Sequence, residues 1–207
     1  MVLWILLILY MSSNFQINIL VIVLSLFASC ETQSKAQNSC LDTFNEVRTM
    51  MYSDSTTTSS LNKALNKLNA LKKCDSLRIQ IVDLKITLFV ALKMYSNGVK
   101  YIDSLSVNDF AFGYKKTFTY DALTALDFNS QNNLSKQIET YRNMVNKLEK
   151  YIDNKPKIED DEFKEVYTDL FSVKLQFESN GEINKEIDIL QKKYPEKRQF
   201  FEFLKRH

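Results

Sequence analysis

The scarcity of chain-breaking residues constrains this sequence more than any other feature. Three glycines (Gly98, Gly113, Gly181) and two prolines (Pro156, Pro195) serve 207 residues, about 2% of the chain where ~12% is usual. Sandwiches, barrels and glycine-cradled phosphate sites need tight turns and left-handed backbone at many positions. The count therefore speaks against an all-β fold and against phosphate-loop chemistry. Helices use these residues mainly at their ends, so the expected fold is all-α.

Apolar spacing places the helices. Cys40, Phe44, Val47 and Met51 recur at three or four and give a helix over 40–52, which the Ser/Thr tract 53–60 breaks. Leu61, Leu65, Leu68 and Leu71 then give a second helix ending near Lys73. A long stripe of Leu77, Ile81, Leu84, Leu88, Leu92 and Tyr95 is interrupted at Ser96-Asn97-Gly98 and followed by Val99, Ile102 and Leu105. Phe118, Ala122, Ala125 and Phe128 lead through the polar turn 129–133 to Leu134, Ile138, Tyr141, Val145, Leu148 and Ile152. Beyond the linker 154–157, Phe163, Val166, Leu170 and Phe177 precede a turn at Ser179-Asn180-Gly181 and a stripe of Ile183, Ile187, Leu190 and Tyr194. Pro195 stops that helix, and a short one over 197–206 reads as a cap. The expectation is about four antiparallel helix pairs and a C-terminal capping helix in one domain, 39–207. An irregular bundle around one core is the alternative.

The first thirty residues are a different physical object. Residues 1–29 carry no charge, and two apolar blocks flank the polar stretch Ser12 to Gln16. The second block ends in Leu26-Phe27-Ala28-Ser29-Cys30 and gives way at once to Glu31-Thr32-Gln33-Ser34-Lys35. Ala28-Ser29-Cys30 resembles the lipobox of bacterial lipoproteins, which implies a signal peptide over 1–29, acylation of Cys30 and a polar tether over 30–38. Acyl chains at ~0.8 kcal/mol per buried CH₂ would hold such a protein to a bilayer. No acidic cluster follows Cys30, which points to the periplasmic face of the envelope. A single N-terminal membrane anchor is the other reading of this segment.

Outside the cytosol disulfides persist. Two antiparallel helices of similar length bring Cys74 back beside Cys40, and bridging a separation of 34 residues would add ~4 kcal/mol in the chain-entropy model. Two free thiols are the alternative.

Charge and composition bound the chemistry. Lys and Arg number 27 against 25 acids, a net of +2, which gives no electrostatic case for nucleic acid. The lone His is His207. No Cys-x-x-Cys, nucleophile-base pair or glycosidase-type carboxylate pair stands out, so no catalytic residue, metal, cofactor or small-molecule substrate is expected. The acidic run Glu159 to Glu162 lacks the spacing of a calcium loop and suits the first turn of a helix. Tyr95, Tyr141, Phe171 and Phe177 read as core.

Helix pairs recurring every 35 to 45 residues resemble tetratricopeptide-type repeats. The likeness is carried by Tyr95-Ser96-Asn97-Gly98-Val99-Lys100-Tyr101-Ile102-Asp103-Ser104-Leu105 and by Glu178-Ser179-Asn180-Gly181 through Leu190-Gln191-Lys192-Lys193-Tyr194-Pro195. It implies a TPR-like α-solenoid whose first helices line a concave, protein-binding surface. On the polar faces of those helices, Gln80, Asp83 and Thr87, with Thr117, Asp121 and Thr124, are the groove candidates. The function expected is a lipid-anchored module or scaffold that binds another envelope protein. An immunity lipoprotein that neutralises a toxin is the alternative, and an enzyme the remote one.

Overall fold

The computed structural model describes residues 40–53, 56–71, 74–155 and 157–205. The expected signal peptide, Cys30, the tether and His207 lie outside them. The described residues form nine α-helices and no strand: α1 (40–52), α2 (Thr58–Ala70), α3 (Arg78–Ala91), α4 (Tyr95–Asp103), α5 (Lys115–Ser130), α6 (Leu134–Asn154), α7 (Asp160–Lys174), α8 (Asn180–Lys193) and α9 (Arg198–Leu204). They pack in neighbouring pairs along the chain, with α9 as a cap. The chain divides into two compact units, Met1–Ile81 and Val82–His207, and α3 crosses the division.

In the first unit, α1 buries Cys40, Phe44, Val47 and Met51, and α2 buries Ala64, Leu65 and Leu68. Cys40 and Cys74 are joined as a disulfide with their Cα atoms 5.9 Å apart. Helix α2 begins inside the Ser/Thr tract rather than at Leu61. Thr57 and Ser60 form a reciprocal capping box: the Ser60 N–H donates to the Thr57 hydroxyl, and the Thr57 N–H donates to the Ser60 hydroxyl. The tract that reads as a breaker thus supplies the cap.

The second unit corrects another boundary. The break expected at Ser96-Asn97-Gly98 falls instead at Leu92 to Met94, and those three residues belong to α4. Lys93 takes a left-handed φ of 56°. The Met94 N–H donates to the Phe89 carbonyl at 2.8 Å, and the Lys93 N–H donates to that of Val90 at 3.0 Å. This is the Schellman ending, which satisfies carbonyls that the helix terminus leaves open. Asn132 repeats it with φ 57°, and the Asn133 N–H donates to Phe128 at 2.9 Å. Consecutive first helices, α3 and α5, therefore end in the same backbone turn.

Gly98 sits where α4 meets its neighbours. A Cβ there would lie 2.9 Å from Leu123 Cδ1 and 3.3 Å from Phe89 Cβ, so α4 approaches α5 closely at Gly98, and a side chain there would have to push the Leu123 methyl aside. Two core layers flank α5. Leu123 and Leu126 pack with Val82, Ile86 and Ile102 on one side. Phe118, Ala122 and Ala125 join Met144, Leu148, Val166, Tyr167, Ile187 and Phe201 on the other. The core is thus shared between successive pairs rather than gathered at one centre, the mark of a stack. At the end of the chain, Phe201 of α9 is fully buried against the last pair.

Candidate functional site

A cavity of about 310 Å³ lies between α5 and α6. Helix α5 with the residue before it contributes Tyr114, Thr117, Phe118 and Asp121, and α6 contributes Met144, Lys147, Leu148 and Tyr151. Both sets are spaced i, i+3, i+4, i+7, the spacing that puts side chains on one helical face. Because the helices are antiparallel, Tyr114 meets Tyr151 at one end, ring centroids 5.1 Å apart. Further along the rim Lys147 donates to Asp121 at 2.6 Å, the carboxylate being the more buried partner. Gly113 completes the lining.

The two tyrosines are tied to α7. The Tyr114 hydroxyl donates to Asp169 at 2.8 Å. The Tyr151 hydroxyl donates to Glu162, which also accepts from Lys155. Glu162 and Asp169 are seven residues apart on α7 and so share a face. Burial pushes the Asp169 carboxyl up against the opposing pull of Lys115 and the Tyr114 hydroxyl. Glu162 goes the other way: burial raises it, but hydrogen bonds from Lys155 and Tyr151 outweigh that and hold it low. Burial, with Asp169 beside it, keeps the Tyr114 phenol neutral far above its ordinary range.

The acidic run at the start of α7 is divided between two tasks. Asp160 pairs with Lys164 and Lys197 in the first turn, while Glu162 turns inward and is buried. No hydrogen bond from the Glu159 side chain caps the helix. Of the aromatic residues read as core, Tyr141 and Phe171 are buried, and Tyr95 and Phe177 pack half-buried against the two core layers.

The six groove candidates do not form one patch. Thr117 and Asp121 meet in the cavity. Asp83 belongs with other charges: burial raises its carboxyl, Lys115 pulls it back and Glu165 adds to the rise. Lys115 in turn binds Glu165 and, at 2.7 Å, Asp169. Lys115 is not a lining residue, but its ammonium lies 5.5 Å from the Tyr114 ring centroid and 5.6 Å from that of Phe118, so the Asp83 surroundings adjoin the cavity through its aromatic wall. The Thr87 and Thr124 hydroxyls donate to carbonyls of their own helices, at Asp83 and Tyr120. Gln80 is exposed in the first unit. Sequence reasoning missed Tyr114, Met144, Lys147 and Tyr151 as site residues, although Tyr114 shares a helical face with Thr117 and Asp121, and the other three share one with Leu148.

The fold and site define a class: described residues that are all helical and packed in neighbouring pairs, with a small, mainly apolar cleft between two helices of one pair. Compared with known proteins, the chain matches no family model, no curated protein and no solved structure. Among the described residues no helix is long and apolar enough to cross a membrane, and no group of His, Cys, Asp and Glu is arranged to hold a metal ion.

Proposed function

We propose that this chain is a lipid-anchored protein of the bacterial envelope, held through acylated Cys30 at the periplasmic face, whose helical body binds a partner protein. The observation that carries the reading is the α5–α6 cavity, an apolar recess with a paired-charge rim on a stack of helix pairs. Its walls are held by hydrogen bonds to the next pair, so the recess is preorganised for binding. The matching Schellman turns at Lys93 and Asn132, and Gly98 wedged between Phe89 and Leu123, support a tetratricopeptide-like repeat as the framework. The Cys40–Cys74 disulfide supports an oxidising compartment.

The test is affinity capture of the full-length protein from its own crosslinked, detergent-solubilised envelope, with Cys30→Ala as the mislocalised control. The expected result is a stoichiometric membrane partner that the control loses, together with fatty-acid labelling of the wild type alone. An empty capture overturns the scaffold reading, and a labelled Cys30→Ala chain overturns the anchor.

A further inference from the structure

We infer that the α5–α6 cavity takes one large uncharged side chain, phenylalanine-like, from an extended segment of the partner polypeptide, with Asp121 and Lys147 holding main-chain amides at the rim. This deepens the binding reading above and rests on it. Charge complementarity selects the occupant. The cavity has one carboxylate and one ammonium, and they neutralise each other at 2.6 Å.

Its aromatic walls already carry cations. The Lys115 ammonium lies 5.5 Å from the Tyr114 centroid and 5.6 Å from that of Phe118, and the Lys155 ammonium lies 5.4 Å from Tyr151. A cationic side chain would have to displace Lys147 and share rings with these lysines. An anionic one would meet Asp121 and leave its water for an apolar floor. Either loses hydration without a free counter-charge. An uncharged ring loses nothing of the kind and gains contact with the three rings, Met144 and Leu148.

The rim distinguishes a polypeptide from a free hydrocarbon. Asp121 accepts hydrogen bonds and Lys147 donates them, and the amides flanking an inserted side chain offer the matching N–H and C=O groups. A volume of about 310 Å³ stands at the lower end of the ~300–1,000 Å³ of small-ligand sites, suited to one anchoring side chain rather than a folded element.

Gly113 provides a way to close the site. A Cβ there would meet nothing within 4 Å, and its φ is not positive, so the backbone accepts a side chain at this point of the lining. The experiment uses the full chain with ¹³C-labelled methionine methyls, read at Met144. Acetyl-Gly-Phe-Gly-amide should shift that methyl with millimolar affinity, as expected for so small a probe. The Lys and Glu analogues should bind at least ~10-fold more weakly. Gly113→Phe should abolish the shift with folding intact, and Lys147→Met should weaken the peptide several-fold more than it weakens benzyl alcohol.

The inference is overturned by an unmoved Met144, by a charged analogue binding as tightly, by benzyl alcohol matching the peptide, or by unchanged binding to Gly113→Phe. If the Gly113→Phe chain still captures the envelope partner, the pocket assignment falls and the scaffold reading stands. Peptide binding beside an empty wild-type capture leaves the pocket chemistry standing and removes the scaffold reading.

Discussion

The Tyr114 hydroxyl and the Asp169 carboxylate, 55 residues apart in sequence, meet at 2.8 Å and join the start of α5 to the middle of α7. Asp169 also accepts from Lys115, so a half-buried carboxylate is held by one neutral and one charged donor. The same ring lines the cavity. Whatever enters the cavity therefore touches a residue that anchors the next helix pair.

Tyr114→Phe keeps the ring and removes the hydrogen bond. It should cost ~1–3 kcal/mol, as expected when a charged acceptor loses a donor. The Asp169 carboxyl, already raised by burial, should rise further because a group that favours its charged form is gone. Chemical denaturation and the carboxyl ¹³C titration of Asp169 check both. An unshifted Asp169 would show that burial and Lys115 set its ionisation without the Tyr114 hydroxyl.

Gly98 gives a size series. Gly98→Val should destabilise by ~1–3 kcal/mol through overpacking, because its methyls add to a Cβ already 2.9 Å from Leu123 Cδ1. Gly98→Ala should be close to neutral, since ~1 kcal/mol of helix propensity offsets a small shift of the flexible Leu123 methyl. Urea midpoints at an unchanged m-value decide it, and equal midpoints for Val and Ala would refute the close approach.

Reduction of the disulfide should raise the intact mass by two hydrogens. Cys40→Ser with Cys74→Ser should destabilise the first unit by ~4 kcal/mol, the chain-entropy value for a loop of this length. Amide hydrogen exchange in α1 and α2 is the direct measurement. Unchanged protection there would mean that helix packing suffices without the bridge.

Alkaline pH should unfold the second unit. Burial, with Asp109 adding to it, pushes the Tyr101 phenol from 10.0 up to about 12. Tyr114 and Tyr167 are raised further, burial again being the main cause. A raised folded value means that the unfolded chain gives up these protons first. The stabilisation is therefore fully present below pH 10 and is lost as pH climbs from 10 towards 12. Melting temperature should fall across that window in step with phenolate absorbance, and a flat profile to pH 12 would reject the burial of these phenols.

Local patterns in the sequence were enough to determine that the described residues are helical, how many helices they form and which of their faces are apolar. Glycine and proline scarcity and a period near 3.6 act through neighbouring residues, and Phe44, Leu68, Leu88, Ile102, Leu148 and Ile187 sit where that period puts them. Helix ends were less legible. Thr57 acts through its hydroxyl, which accepts from the Ser60 N–H, and Lys93 through backbone hydrogen bonds: Ser and Thr can break a helix or cap it, and a lysine carries no mark of left-handed backbone. Tertiary structure alone decided the site. Thr117 and Asp121 were legible as a polar helical face, but so were Asp83 and Thr124, and nothing local tells which polar face meets a partner helix. The cavity exists because α5 and α6 align in one register, which sets Lys147 against Asp121 and Tyr151 against Tyr114. Packing between residues 26 to 37 positions apart fixes that register, and no short-range pattern carries it.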